Sequence, residues 1–152
     1  MTLSSPKTTI LVAEDSDEDF DVIQDVFGDK DVTLIRRLSG QDALGCLRAA
    51  YADAGGAGEG RPQLLILDLN LPGMGGMATL QQIKQDPQLC AVPVLVLSSS
   101  TSKREISSCY DLGANGYVLK STNWQKFVEV LNAVKVFWLH TALLPAVAHE
   151  QA

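Results

Sequence analysis

Residues 64–71 read Leu-Leu-Ile-Leu-Asp-Leu-Asn-Leu, and Pro72, Gly73 and the pair Gly75-Gly76 follow at once. An unbroken apolar run that stops at turn residues reads as a strand buried on both faces, the habit of parallel sheets covered by helices. Asp68 then falls at the carboxyl end of that strand, where open α/β sheets place their chemistry. A carboxylate held there is costly unless a cation answers it.

The rest of the chain supplies matching elements. Thr8–Ala13 is a first buried strand, closed by Glu14-Asp15. Ser16 offers a helix N-cap with Asp19 three residues on, and Phe20, Val22, Ile23, Val26 and Phe27 form a helical stripe that Gly28 closes. Val32–Arg37 is a second strand, and Ser39-Gly40 opens a helix carrying Ala43, Leu44, Leu47 and Ala50. Tyr51–Pro62 is rich in Gly and Ala without periodicity, which predicts a surface loop. After the strand Leu64–Asp68, Met77, Leu80 and Ile83 mark a third helix, ended by Pro87. Val92–Ser98 is a fourth strand, with Pro93 near its start. Ser102-Lys-Arg-Glu105 is a capping box for a helix that stops at Gly113. Tyr117–Leu119 is a short fifth strand ending in Lys120, and Thr122-Asn-Trp-Gln125 opens a last helix running to about Thr141. Such alternation predicts a doubly wound parallel sheet with helices on both faces.

Composition narrows the function classes. A length of 152 residues suits one domain, expected to have its core at about 8–139 and a tail at 140–152. No apolar run approaches the roughly 20 residues of a membrane span, and the N-terminus lacks a signal-peptide core, so a cytoplasmic protein is expected. Cys46, Cys90 and Cys109 are odd in number and lack metal-site spacing, so they are read as packing residues. A net charge of −6 gives no footprint for nucleic acid.

Glu14-Asp15, Asp68, Ser98 and Lys120 all fall at strand carboxyl ends, which right-handed crossovers gather on one rim. Three carboxylates brought together there need a counter-cation, and hard oxygen ligands with room for water suit Mg²⁺. Lys120 adds an ammonium and Ser98 a hydroxyl. Such a shell fits phosphoryl transfer, with Asp68 as the nucleophile that forms an acyl phosphate.

Glu14-Asp15, Asp68 with Leu71-Pro-Gly-Met74, Ser98 and Gly116-Tyr-Val-Leu-Lys120 resemble the signature of two-component response-regulator receiver domains, over about Thr8 to Phe137. The resemblance implies a flavodoxin-like fold of five strands in order 2-1-3-4-5, and a sensor histidine kinase that phosphorylates Asp68. It implies that Asp15, Asp68 and the Asn70 carbonyl bind Mg²⁺, with Glu14 acting directly or through water. It implies that Ser98 hydrogen-bonds the phosphoryl group and that Lys120 pairs with it. Tyr117 matches the family's rotameric aromatic, and Asn70 and Ser100 match positions that tune dephosphorylation. Glu14 stands where Asp is commoner, and Gly75 where Asp is frequent. Ser121 stands where Pro usually follows the lysine; a non-proline cis bond costs about 2.5–4 kcal/mol, so trans is expected. The protein is thus expected to be a signalling protein that catalyses only its own phosphorylation and dephosphorylation. The alternative is a Mg²⁺-dependent phosphohydrolase, whose Asp-x-Asp pattern Asp68-Leu-Asn70 faintly resembles; there Asn70 cannot carry a proton.

The last helix is unusually apolar. Phe127, Leu131, Val134 and Trp138 follow 4-3-4 spacing, with Val128 and Val136 off that stripe. Only one stripe can face the sheet, so a homodimer is expected through Phe127, Leu131, Val134, Trp138 and the C-terminal tail, the alternative being a generously packed core. The Phe-Trp-Leu ending with its Leu-Pro tail resembles the stand-alone receivers paired with bacterial phytochrome kinases, which would make the kinase a red-light photoreceptor. With no output domain expected, the signal would pass by altered binding or by phosphorelay.

Overall fold

In the computed structural model, which describes residues 7–52 and 60–145, the apolar run becomes β3 (Leu64–Asp68), buried at every position. It lies at the middle of a five-stranded parallel sheet. Around it in chain order are β1 (Thr8–Ala13), α1 (Asp17–Phe27), β2 (Val32–Arg37) and α2 (Gly40–Tyr51) before it. After it come α3 (Gly75–Gln85), β4 (Val94–Ser98), α4 (Lys103–Asp111), β5 (Gly116–Leu119) and α5 (Trp124–His140). The order β2-β1-β3-β4-β5 is the expected one.

Alternation along the strands fills two cores. Leu11, Leu65, Leu67, Val94 and Val96 pack with α2, α3 and α4, while Ile10, Val12, Leu64, Ile66, Leu95 and Leu97 pack with α1 and α5. The register sets Ala13 beside Leu67, Asp68 beside Leu97 and Ser98 beside Leu119. The residues just past these pairs therefore share one rim.

Local chemistry decides where elements begin. The strand expected from Val92 starts at Val94, because Val92 N–H is spent on the Leu89 carbonyl in a turn and Pro93 has none. Asn123, not Thr122, caps α5, its side chain accepting from Lys126 N–H at 3.0 Å. The α4 box forms only half: Ser102 Oγ accepts from Glu105 N–H, but the Glu105 carboxylate takes the Ser100 hydroxyl. No peptide bond is cis among the described residues, so Lys120–Ser121 is trans. Cys46, Cys90 and Cys109 are free, and no helix is long and apolar enough to cross a membrane among the described residues. The loop expected at 51–62 begins inside α2, and residues 53–59 lie outside the described part.

The expected dimer seam is corrected. Phe127, Leu131 and Val134 are buried against Ile23, Val26, Phe27 and the sheet, with Trp138 half-buried beside them. The 4-3-4 stripe is the one the sheet itself takes, since it is the only broad apolar stripe the helix offers. Left outside on α5 are Trp124 at its start, 62% exposed, and Val136 at 56% and Phe137 at 51% near its end. The start of the tail also turns back on its own chain: Leu144 packs on the α1/α5 core, and Gln63 Nε2 donates to the Pro145 carbonyl. Leu143 points outward, and the tail from Ala146 lies outside the described residues.

Candidate phosphoacceptor site

The site begins where β1 runs out. Glu14 continues the ladder through its N–H to the Arg37 carbonyl, and its own carbonyl accepts from Arg36 Nε at 2.9 Å. Both ends of the residue are thus pinned, and its side chain turns into the rim, 1% exposed. Asp15 beside it is open to solvent. One oxygen from each of Glu14, Asp15 and Asp68 can be chosen so that all three lie within 4.8 Å of one another.

Asp68 is 3% exposed, and both its oxygens are engaged. Oδ1 accepts from Asn70 N–H at 3.0 Å, and Oδ2 lies 3.3 Å from Lys120 Nζ. The turn that follows is built for close approach. A Cβ on Gly76 would sit 2.5 Å from the Asp68 carbonyl oxygen and 2.6 Å from Leu69 Cα, so only glycine lets α3 start there. Gly76 N–H then donates to the Leu69 carbonyl at 3.1 Å.

Lys120 arrives from the other side. Its N–H donates to the Ser98 carbonyl at 2.7 Å, which fixes the two strand ends together. Its ammonium lies 2.6 Å from Glu14 Oε1, 2.8 Å from Asp19 Oδ2 and 3.3 Å from Asp68 Oδ2. Ser98 is buried, with its Oγ accepting from Ser100 N–H at 3.1 Å. Tyr117 is half-buried and donates its hydroxyl to the Ser100 carbonyl.

The charges pull on one another. Burial, followed by the Asp68 carboxylate, pushes Glu14 up to about 8 despite the nearby ammonium. Burial disfavours the Lys120 charge, but Asp19 and Glu14 outweigh it and hold the ammonium above the usual lysine range. Glu14 Oε1 is buried and accepts no aligned hydrogen bond, although the ammonium is close. An under-satisfied carboxylate oxygen among three converging acids is a donor set that fits a hard divalent cation.

Every expected site residue lies at this rim. Glu14, Asp15, Asp68 and Lys120 converge, Ser98 ends the neighbouring strand, and Asn70 meets Asp68 through its backbone while its side chain faces solvent. The sequence reading took Asp19 only as a weak capping residue. Ser16 Oγ does accept from Asp19 N–H, but the Asp19 carboxylate goes to Lys120. The available signal was position: Asp19 stands in the first turn of α1, four residues after Asp15, at the end of the helix nearest the rim.

Residues 10–132 match the response regulator receiver domain. The chain belongs to that family. Response regulator Rcp1 of Synechocystis is 33% identical over 147 residues, covering 94% of this chain and 97% of that protein. The crystal structure of the phosphorylated cyanobacterial phytochrome response regulator RcpA is 34% identical with a TM-score of 0.81, covering 92% of this chain and 99% of that one. The Mn²⁺-bound form of Rcp1 is 35% identical with a TM-score of 0.82, covering 91% and 99%. As a receiver domain the protein is a signalling component, and the phosphohydrolase alternative is not favoured.

Proposed function

We propose that Asp68 accepts a phosphoryl group from the phosphohistidine of a sensor histidine kinase, with Mg²⁺ held by Glu14, Asp15, Asp68 and the Asn70 carbonyl. The observation that carries this is the Lys120 ammonium 3.3 Å from a buried Asp68 carboxylate that also shares a ligand cluster with two other acids. In the transfer, an Asp68 carboxylate oxygen forms a bond to phosphorus as the phosphorus–nitrogen bond of the donor breaks. The imidazole leaves with the electron pair and takes up a proton. Bound Mg²⁺ would supply charge neutralisation at the phosphoryl oxygens. Lys120 answers the charge on the same group, and Ser98 donates its hydroxyl to it, the bond from Ser100 N–H occupying only a lone pair of that oxygen. The chain catalyses its own phosphorylation and the later hydrolysis, and nothing else.

Similarity to RcpA, a phytochrome response regulator, and to Rcp1 supports a bacterial phytochrome as the kinase. The receiver domain passes its signal through altered protein binding or onward transfer in the cytoplasm. Exposed Val136, Phe137 and Leu143 support a homodimer through the outer face at the end of α5. Acetyl phosphate with Mg²⁺ tests the core reading: intact-mass measurement should find one phosphoryl group on the wild type and none on Asp68→Asn. A variant that is still modified, or a wild type that never is, removes Asp68 from the role.

A further inference from the structure

Lys120 has three carboxylates in reach, and the two nearest are not the one expected to react. Glu14 and Asp19 lie at 2.6 and 2.8 Å, Asp68 at 3.3 Å. Asp19 differs from the other two. It stands outside the cluster of converging ligand oxygens. Its side chain is 35% exposed, against 1% for Glu14 and 4% for Asp68. Its carboxylate does not make the cap, since the hydrogen bond at that position runs from the Asp19 N–H to Ser16 Oγ.

We infer that Asp19 is a positioning residue that competes with the phosphoryl group for Lys120, and so restrains entry into the phosphorylated state. The inference rests on Asp68 being the phosphoacceptor. An ammonium has three donors, and charge-assisted bonds are the strong ones. A divalent cation that draws Glu14 away leaves Asp19 as the principal anchor of Lys120. A phosphoryl group on Asp68 brings more negative charge, and each bond the ammonium keeps with Asp19 is one it withholds from that group. Asp19 has room to let go. It lines an open cleft of about 430 Å³ between α1 and the start of α5, with Glu18, Asp21, Asp25 and Trp124.

Beryllofluoride, a non-reacting mimic of the phosphoryl group, measures the competition by calorimetry at saturating Mg²⁺. Asp19→Asn keeps the shape and removes the charge, and should bind the mimic about two- to fivefold tighter than wild type, the scale of one partly exposed charged pair. A role limited to supporting α1 predicts equal or weaker binding, and either result overturns the inference. In a Lys120→Met background the gain should vanish; if it persists, Asp19 acts by simple repulsion of the anion and the inference fails. Asp68→Asn separates the two readings. Wild-type affinity in that variant would sink the phosphoacceptor assignment itself, whereas lost binding there with no gain in Asp19→Asn would sink only the role of Asp19.

Discussion

Glu14 holds a proton that an unfolded chain would not. Its carboxyl titrates near 8 in the fold against an ordinary 4.5, because burial and then Asp68 disfavour its charge. Between those values the native state binds more protons than the unfolded state, so stability falls as pH rises through that window. Its contribution is complete below the lower value. Metal-free protein should therefore lose melting temperature from about pH 4.5 to about pH 8, and Glu14→Gln should flatten that slope. Apparent Mg²⁺ affinity should climb over the same range, because binding must expel the proton. A slope that survives Glu14→Gln would place the titrating group elsewhere. At this scale the sequence was informative wherever a residue ended a strand: Asp68, Glu14, Asp15, Ser98 and Lys120 were legible because register alone brings strand ends together. Asp19 was not, because it sits inside a helix rather than at a strand end, and sequence alone does not say what its carboxylate meets.

Elements were legible in type and less so at their edges. A buried run of Leu and Ile has only one reading in an alternating chain, and β3 followed it residue for residue. Caps slipped where two residues could serve, as with Thr122 and Asn123 before α5. The stripe on α5 was legible as apolar, but its partner was not, since α1, the sheet and a second chain all want the same surface. Tight approaches are invisible in sequence too. Gly76 marked a turn, yet its use is to let α3 begin against the end of β3. Gly76→Ala should cost about 1–3 kcal/mol in denaturant unfolding, because the new methyl meets backbone that cannot yield easily. Phosphorylation by acetyl phosphate should slow with it, since the Asp68 carbonyl must move. Unchanged stability would mean that the turn relaxes freely.

At the scale of the molecule, apolar surface is the open account. Val136 and Phe137 stand out on α5, and Phe137 packs edge-on against Trp138 with ring centroids 5.1 Å apart. If that face joins two copies, Phe137→Ser with Val136→Ser should bring the mass in light scattering from two chains to one while leaving the melting temperature nearly unchanged, since neither residue belongs to the core. A double variant that stays paired moves the contact to another face; a wild type that is already one chain ends the idea.

The ammonium at the rim has a further consequence for how the protein comes into being. Lys120 meets Asp19 across 101 residues of chain and Asp68 across 52. It is carried just beyond an edge strand, the last to join the sheet in chain order. A nascent or partly assembled polypeptide that has paired its first four strands holds the crowded acids without their counter-charge. On the role proposed for Lys120, a product that stops before that residue keeps the acids of the rim but lacks the ammonium that answers Asp68.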